Sequence, residues 1–341
     1  MAIKLAINGF GRIGRLVLRS IIETERTDAE VVLINDLGSP EANAHLLRYD
    51  TVHGRLPADV KVENNTMTIT TRNGRKIGPI KITAEADPTK LPLQGVDVAM
   101  ECTGRFTSKE AASALLQAGA RKVLVSAPAK NVDATIVYGV NHKIINGNMT
   151  VISNASCTTN CLAPIAKVLQ DTVGIERGSM LTIHSYTGDQ RTVDTLHKDL
   201  HRARAAAQNI IPTTTGAAKA VALVIPELKG KLDGIAIRVP TPNVSYVALD
   251  FVPTKTPASV EELNAYFKKA AEGELKGILG YNDEPLVSSD FNHCFNSSTF
   301  DATQTGFIDN GKLIRVAGWY DNEWGFSTRM TDTAVALGNA K

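Results

Sequence analysis

The chain has 341 residues, enough for two domains with separate cores. Its 37 basic and 35 acidic side chains nearly cancel, which excludes the global basic field of a nucleic-acid binder. The four cysteines, at 102, 157, 161 and 294, have neither the density nor the spacing of a disulfide framework or a zinc site, so no metal is expected. The N-terminus, Met1-Ala2-Ile3-Lys4-Leu5, carries no charged leader with an apolar core, and no apolar run approaches a membrane span. A soluble protein of a reducing cytoplasm is expected.

Ile3-Lys4-Leu5-Ala6-Ile7 reads as a buried strand, followed by Asn8-Gly9-Phe10-Gly11-Arg12-Ile13-Gly14 and then by a helical pattern through Leu16, Val17 and Ile21. Gly9, Gly11 and Gly14 therefore form G-x-G-x-x-G between a strand and a helix. One glycine makes the turn, the next lets backbone approach a pyrophosphate, and the third lets helix and strand pack closely. A second apolar strand, Val31 to Ile34, ends in Asn35-Asp36. An acid there accepts hydrogen bonds from the adenosine ribose hydroxyls and repels a 2′-phosphate, which indicates NAD as the cofactor. A lone glycine triplet is a weak signal; the flanking strand, helix and acid give it meaning.

Val60 to Ile82 alternates apolar with polar around Asn64-Asn65 and Asn73-Gly74, predicting antiparallel hairpins inserted in the sheet. Val96 to Met100, Val123 to Val125 and Thr135 to Tyr138 are further strands, with a helix over Lys109 to Ala118. This alternation predicts a doubly wound, Rossmann-type parallel sheet and a dinucleotide-binding domain over 1–156.

Ser156-Cys157-Thr158-Thr159-Asn160-Cys161 opens a second helical pattern, whose apolar face runs through Leu162, Ile165, Ala166 and Leu169. The thiolate is the nucleophile, so a reactive cysteine needs a lowered pKa; unpaired amides and the positive end of a helix dipole would supply it. Pro164 inside the pattern predicts a kink or a late helix start. Cys157 is then either a nucleophile or a small buried hydrophobe. A base would decide, and Met180 to Ile183 reads as a strand delivering His184 to a Ser185-Tyr186-Thr187-Gly188 turn. Cys161 has no comparable partner and is read as packing. A boundary just before Cys157 leaves the thiol at the domain junction, where sites commonly form.

Beyond it, strands over Leu232 to Val239, Ser245 to Val252 and Leu313 to Trp319 alternate with helices over Ala217 to Leu223 and Val260 to Ala271. The α+β domain expected over 157–322 has a mainly antiparallel sheet with helices on one face. Thr213-Thr214-Thr215-Gly216 is either an N-cap or an anion site, and the basic stretch Lys198 to Arg204 either a solvated face or part of one. Arg238, within an otherwise apolar strand, calls for a fixed anion.

Together these segments, with Tyr49-Asp50-Thr51-Val52-His53-Gly54, Glu101-Cys102-Thr103-Gly104-Arg105-Phe106 and Trp319-Tyr320-Asp321-Asn322-Glu323-Trp324-Gly325, resemble the phosphorylating glyceraldehyde-3-phosphate dehydrogenases of bacteria and plastids, end to end. The resemblance implies that Cys157 forms a thiohemiacetal and then a thioester with glyceraldehyde 3-phosphate, that His184 is the base, and that inorganic phosphate releases 1,3-bisphosphoglycerate. It implies substrate-phosphate contacts at Thr187 and Arg238, and attacking-phosphate contacts at Ser156, Thr158, Arg202, Thr215 and Gly216. On the cofactor side it implies Gly9, Gly11, Arg12, Ile13, Gly14, Asp36, Ser126 near the adenosine, and Asn322 at the carboxamide. It further implies a homotetramer with residues 186–209 at an interface, and a C-terminal helix, about 323–341, packed on the first domain.

Three departures bear on the cofactor: Thr195-Leu196 follows Asp194 where NAD-specific bacterial members have Leu-Pro, Gly188 replaces an asparagine, and Ala86 stands where many relatives have arginine. They bring NADP in as a second candidate. Erythrose-4-phosphate dehydrogenase and a non-catalytic regulatory member of the family are the alternatives.

Overall fold

In the computed structural model, which describes residues 2–341, the apolar runs of the N-terminal half pair into a nine-stranded sheet. Strand β1 (Ile3–Asn8) leads through the glycine turn into helix α1 (Arg12–Glu23) and on to β2 (Ala29–Asn35) and α2 (Pro40–Arg48). The short strands β3 (Tyr49–Asp50) and β4 (Gly54–Arg55) pair only with each other. Then come β5 (Ala58–Glu63), β6 (Thr66–Thr71), β7 (Lys76–Thr83), β8 (Val98–Glu101), α3 (Lys109–Ala112), α4 (Ala114–Gln117), β9 (Lys122–Val125), β10 (Ala134–Thr135) and β11 (Val151–Ser153). The spatial order is β10-β11-β9-β8-β1-β2-β7-β6-β5. The core strands are parallel, and the chain reverses direction of travel across the sheet between β1 and β8, the switch point at which open α/β sheets bind ligands.

Three expectations change. The antiparallel strands β5, β6 and β7 extend one edge of the sheet, with β7 parallel to β2, instead of interrupting it. In place of the strand expected over Thr135 to Tyr138, only Ala134 and Thr135 pair with Ile152 and Ser153 of β11; the Ile136 amide still donates to the Ser153 carbonyl at 2.8 Å, and Ile136 and Val137 are buried. The expected single helix over Lys109 to Ala118 is divided at Ser113, whose hydroxyl and amide share the Lys109 carbonyl, at 2.7 and 2.9 Å.

The remainder is built from α5 (Cys157–Thr172), β12 (Ile175–Ser185), β13 (Ile211–Thr214), α6 (Ala217–Val221), β14 (Leu232–Val239), β15 (Ser245–Pro253), α7 (Val260–Glu272), β16 (Leu279–Asn282), β17 (Ser298–Asp301), β18 (Gly306–Ile308), β19 (Leu313–Tyr320) and α8 (Trp324–Asn339). Its sheet runs β13-β14-β12-β15-β19-β17-β16, with β18 on β19. The sheet is mixed: β12 pairs parallel to β14 and β16 to β17, and the other pairs are antiparallel. Along β15, Val247, Leu249 and Phe251 are buried while Tyr246, Ala248 and Asp250 are half-buried, the period-two signature of a sheet covered on one face. Helices α5 and α7 belong to the covered side, where Phe267 of α7 stacks on Phe300 of β17 with ring centroids 3.7 Å apart.

By internal contacts the chain forms two units: the residues up to Tyr138 with His142–Ala155 and Ser327–Lys341, and Gly139–Asn141 with Ser156–Phe326. Within the first, the C-terminal part of α8 is tied down at several points. Asp332 pairs with Arg26, Thr333 donates to Asn154 at 2.8 Å, and the Lys122 ammonium donates to the Leu337 carbonyl at 2.9 Å. That last bond places a cation at the negative end of the helix.

Candidate active site

Helix α5 begins at Cys157 because Ser156 caps it, its hydroxyl accepting from the Thr159 amide at 3.1 Å. The expected late start does not occur, and Pro164 lies inside a continuous helix. Burial of nearly every residue from Thr158 to Leu169 holds the helix together where a solvent-exposed one would break. The Cys157 sulfur thus belongs to the first turn, beside amides that face an anion.

Strand β12 ends in His184-Ser185, and its parallel register sets His184 opposite Arg238 of β14. His184 Nε2 lies 3.5 Å from Cys157 Sγ. On the far side of the ring, Nδ1 is 2.7 Å from the Ser185 carbonyl and 2.6 Å from Arg238 Nη1, which also donates to that carbonyl at 2.9 Å. When Nδ1–H donates to Ser185 the Nε2 lone pair faces the sulfur, as a base requires; when Arg238 donates to Nδ1 the proton sits on Nε2. Burial, and next the Arg238 charge, push His184 down to about 3 against the pull of the Ser185 carbonyl, so the ring is neutral at pH 7. Burial also raises the Cys157 thiol above its ordinary value, although Arg238 and the Thr158 hydroxyl and amide pull it down. This corrects the expectation of a thiol lowered by its surroundings: desolvation outweighs them. Cys161 is wholly buried 3.2 Å from the Ser298 hydroxyl, and burial pushes it up to about 12, in keeping with packing.

Tyr320, quoted above only within a motif, proves to be a structural member of the site. Its hydroxyl lies 2.9 Å from both Thr158 Oγ1 and Thr182 Oγ1, and its ring meets His184 edge-on. Its sequence signal was its place beside the segment containing Asn322. The Asn322 side-chain oxygen accepts from the Ser185 and Ser245 hydroxyls, both at 2.9 Å, which fixes the orientation of the amide.

The residues expected to handle phosphate fall into two groups. Ser156 Oγ is 2.8 Å from Thr159 Oγ1, and Thr159 reaches the Ala217 carbonyl at 3.5 Å, which links the start of α5 to Thr215 and Gly216 before α6. Thr215 itself accepts from the Ala217 amide at 3.2 Å. Thr187 lies in the turn after β12, where its amide donates to Gln190 Oε1 at 2.8 Å. Arg202 is ion-paired with Asp189, and Arg238 carries Arg202 and Asp189 within coulombic reach.

In the first unit a cleft is lined by Asn8, Gly9, Gly11, Asp36, Cys102 and Phe106. The three glycines differ in what a side chain would meet. Gly9 has φ +92°, and a Cβ there would lie 2.7 Å from the Thr103 amide nitrogen; a Cβ on Gly14 would lie 2.1 Å from the Gly9 carbonyl oxygen; at Gly11 a Cβ would meet nothing within 4 Å. The space over Gly11 is where a pyrophosphate would lie, and α1 starts there with no side-chain cap on its amides. Asp36 is fixed by the Phe10 and Gly38 amides, each donating to one carboxylate oxygen at 2.9 Å. Arg12 pairs with Asp50; burial works against that carboxylate, but Arg12 and the His53 and Val52 amides hold it at about 2. Ile13 is half-buried in the first turn of α1, and the Ser126 hydroxyl bonds to Cys102. These residues fit a dinucleotide.

Comparison with known families agrees with this division. Residues 3–109 match the NAD binding domain of glyceraldehyde 3-phosphate dehydrogenase, and residues 156–322 match its C-terminal domain. The chain belongs to the glyceraldehyde-3-phosphate dehydrogenase family. Relatives bearing that name include one from Xanthobacter flavus, 63% identical over 340 residues and 99% of both chains. One from Cereibacter sphaeroides is 62% identical over 99% of both, and one from Geobacillus stearothermophilus 57% identical over 99% of this chain and 98% of its own.

Within this glyceraldehyde-3-phosphate dehydrogenase family framework, Gly11 separates cofactor binding from folding. Gly11→Ala should leave the melting temperature within about 2 °C of wild type, since Gly11 has an ordinary φ of −69° and an open side, while weakening NAD binding about tenfold or more. Titration calorimetry and a melting curve on the same sample check it; unchanged NAD affinity would remove the pyrophosphate from that space.

Proposed function

We propose that this chain catalyses the reversible NAD-dependent, phosphorylating oxidation of glyceraldehyde 3-phosphate to 1,3-bisphosphoglycerate, with Cys157 as nucleophile and His184 as base. The single observation that carries the reading is the 3.5 Å approach of Cys157 Sγ and His184 Nε2 at the start of a capped helix. NAD, when bound, supplies the hydride acceptor; Gly9, Gly11, Gly14 and the first turn of α1 with Arg12 and Ile13 would hold its pyrophosphate portion, Asp36 its ribose, Ser126 its adenosine side, and the Asn322 NH2 its carboxamide.

His184 takes the thiol proton as the Cys157 sulfur attacks the aldehyde carbon, and returns that proton to the carbonyl oxygen as its π bond opens, which gives the hydroxyl of a thiohemiacetal and leaves His184 neutral again. His184 next accepts the hydroxyl proton of that adduct as its carbon loses hydride, leaving a thioester on Cys157. A phosphate oxygen attacks the thioester carbonyl, the carbon–sulfur bond breaks, and the thiolate is regenerated with the acyl phosphate. Arg238 and Thr187 would hold the substrate's own phosphate; Ser156, Thr158, Arg202, Thr215 and Gly216 would hold the attacking one. The second group favours phosphorolysis over the hydrolysis of an erythrose-4-phosphate dehydrogenase.

We further assign a homotetramer. The uncovered face of the second sheet presents Ile183 and Ile235, with Tyr246 and Trp319 half-buried beside Ile183, while Val193, Leu196, Leu200 and Ile210 stand exposed along 186–210. Apolar exposure of this extent marks an association surface. Among the described residues no helix is long and apolar enough to cross a membrane.

Turnover should require inorganic phosphate, stop with Cys157→Ser, and fall about 10²–10⁴-fold with His184→Asn; equal rates with and without phosphate in a steady-state assay would sink the assignment. Asp36 repels a 2′-phosphate and should outweigh the missing proline after Asp194, so kcat/KM for NAD should exceed that for NADP when both are measured on one preparation. An NADP preference would assign cofactor choice to 188–196. Ile235→Asp should move the mass measured by light scattering from a tetramer to a smaller species, and an unchanged mass would place the interface elsewhere.

A further inference from the structure

The basic stretch Lys198 to Arg204 holds Arg202 with its charge already engaged. Nη1 is ion-paired with Asp189, and Nε lies 3.3 Å from Asp199 Oδ2. Asp189 belongs to the turn after β12 in which the Gln190 amide donates to the Thr187 carbonyl at 3.0 Å and Gln190 Oε1 accepts from the Thr187 amide at 2.8 Å. The turn that presents Thr187 therefore also presents the carboxylate that holds Arg202. His197 Nε2 lies 3.4 Å from the second Asp189 oxygen. Burial favours the neutral acid, but Arg202, through its hydrogen bond and its charge, and then His197 keep the Asp189 carboxyl below its ordinary value, so it is an anion at neutral pH. Arg238 senses both Arg202 and Asp189, which makes this one carboxylate a counter-charge to two arginines.

We propose that Asp189, with Asp199 behind it, is an internal competitor for the Arg202 guanidinium, so that inorganic phosphate binds by displacing a carboxylate of the chain itself. The inference rests on the phosphorylating reading above. Carboxylate and phosphate use the same fork of guanidinium donors, so the two cannot both hold Nη1 in full. The Asp189 side chain is 47% exposed and that of Arg202 23%, so the carboxylate is the partner that water can receive on release. Two unopposed arginines would hold every oxyanion tightly, including the acyl-phosphate product; an intramolecular carboxylate weakens the capture of all of them and leaves the thiol chemistry untouched. Asp189 acts through Arg202 and is a positioning residue.

Asp189→Asn should lower KM for inorganic phosphate about two- to fivefold, the range of a partly exposed ion pair, and lower the inhibition constant of sulfate by the same factor. KM for glyceraldehyde 3-phosphate should fall by a smaller factor, since Asp189 pairs with Arg202 directly and reaches Arg238 only through space, and Asp189→Glu should restore wild-type values. An unchanged or raised KM for phosphate in Asp189→Asn overturns the proposal. Should that variant fail to fold, Asp199→Asn tests the exchange from the other side of the guanidinium, with the same expected direction and the same overturning result. Wild-type turnover indifferent to phosphate would sink the phosphorylating reading; a wild type that needs phosphate, with variants that keep its KM, would sink this inference alone.

Discussion

The Tyr320 hydroxyl governs where the sulfur and the imidazole can sit. It lies 2.9 Å from Thr158, the residue after Cys157 in α5, and 2.9 Å from Thr182, which shares a strand face with His184 two positions later in β12. All three hydroxyls are buried, Tyr320 and Thr182 almost completely. The two bonds give every hydroxyl of the trio a partner, and removing Tyr320 would take that partner from two buried hydroxyls, at a cost of about 1–3 kcal/mol. The end of β19 thereby clamps a helix start to a strand end. The separation of the two reacting atoms is braced by Tyr320 and Thr182, which take no part in the chemistry.

Arg238 gives this clamp its electrostatic character, and it acts in opposite directions on the two reacting groups. Its charge favours a thiolate on Cys157 and opposes an imidazolium on His184. Moving the proton from sulfur to nitrogen changes both groups at once, so these two effects largely offset each other, while burial penalises both charged forms. The pair is therefore held as neutral thiol and neutral imidazole. What remains to favour transfer is local: the amides of the first turn of α5 and the Thr158 hydroxyl on the anion, and the Ser185 carbonyl on the Nδ1–H of the cation.

Features whose cause is local were legible in the residues alone. The glycine turn is one: steric limits at Gly9 and Gly14 and open space at Gly11 follow from a strand, a turn and a helix in immediate succession. The strand over Leu232–Val239 is another, because its run of apolar residues marks a strand without knowledge of its neighbours, although not which face is covered: Ala236 is buried and Ile235 exposed. Features whose cause is distant were not. The parallel pairing of β12 with β14 depends on the chain between them, including β13 and α6, and no residue of either strand announces it. Strand β11 is three residues long, too short for a period, and is held by β9 on one side and β10 on the other. The direction of the thiol pKa is not legible in sequence, because helix-end amides can be anticipated from a cap, whereas desolvation depends on everything packed around the sulfur. Tyr320 was overlooked as a brace for the same reason: its two threonine partners lie 162 and 138 residues away in the chain.

Asn8 and Asn35 show how an apparently local motif can serve the whole sheet. In sequence they only precede the glycine turn and Asp36. In the fold, Asn8 Nδ2 donates to Glu101 Oε2 at 2.6 Å, Asn35 Nδ2 donates to Asn8 Oδ1 at 2.8 Å, and Thr83 donates to Asn35 Oδ1 at 2.8 Å. A row of polar side chains, buried at Glu101, Asn8 and Asn35 and half-buried at Thr83, thus runs across β8, β1, β2 and β7 at their C-terminal ends. Burial raises the Glu101 carboxyl while its bonds from Thr103 and Asn8 pull the other way, and Thr103, whose amide donates to Glu101 at 2.8 Å, is the residue a side chain at Gly9 would strike. An amide has one donor end and one acceptor end, so a slip of β1 or β2 would leave both ends of its asparagine without a match. The ladder fixes strand register, and with it the loops above the strand ends. The cleft at the switch point is therefore shaped by hydrogen bonds beneath it as much as by the glycines that line it.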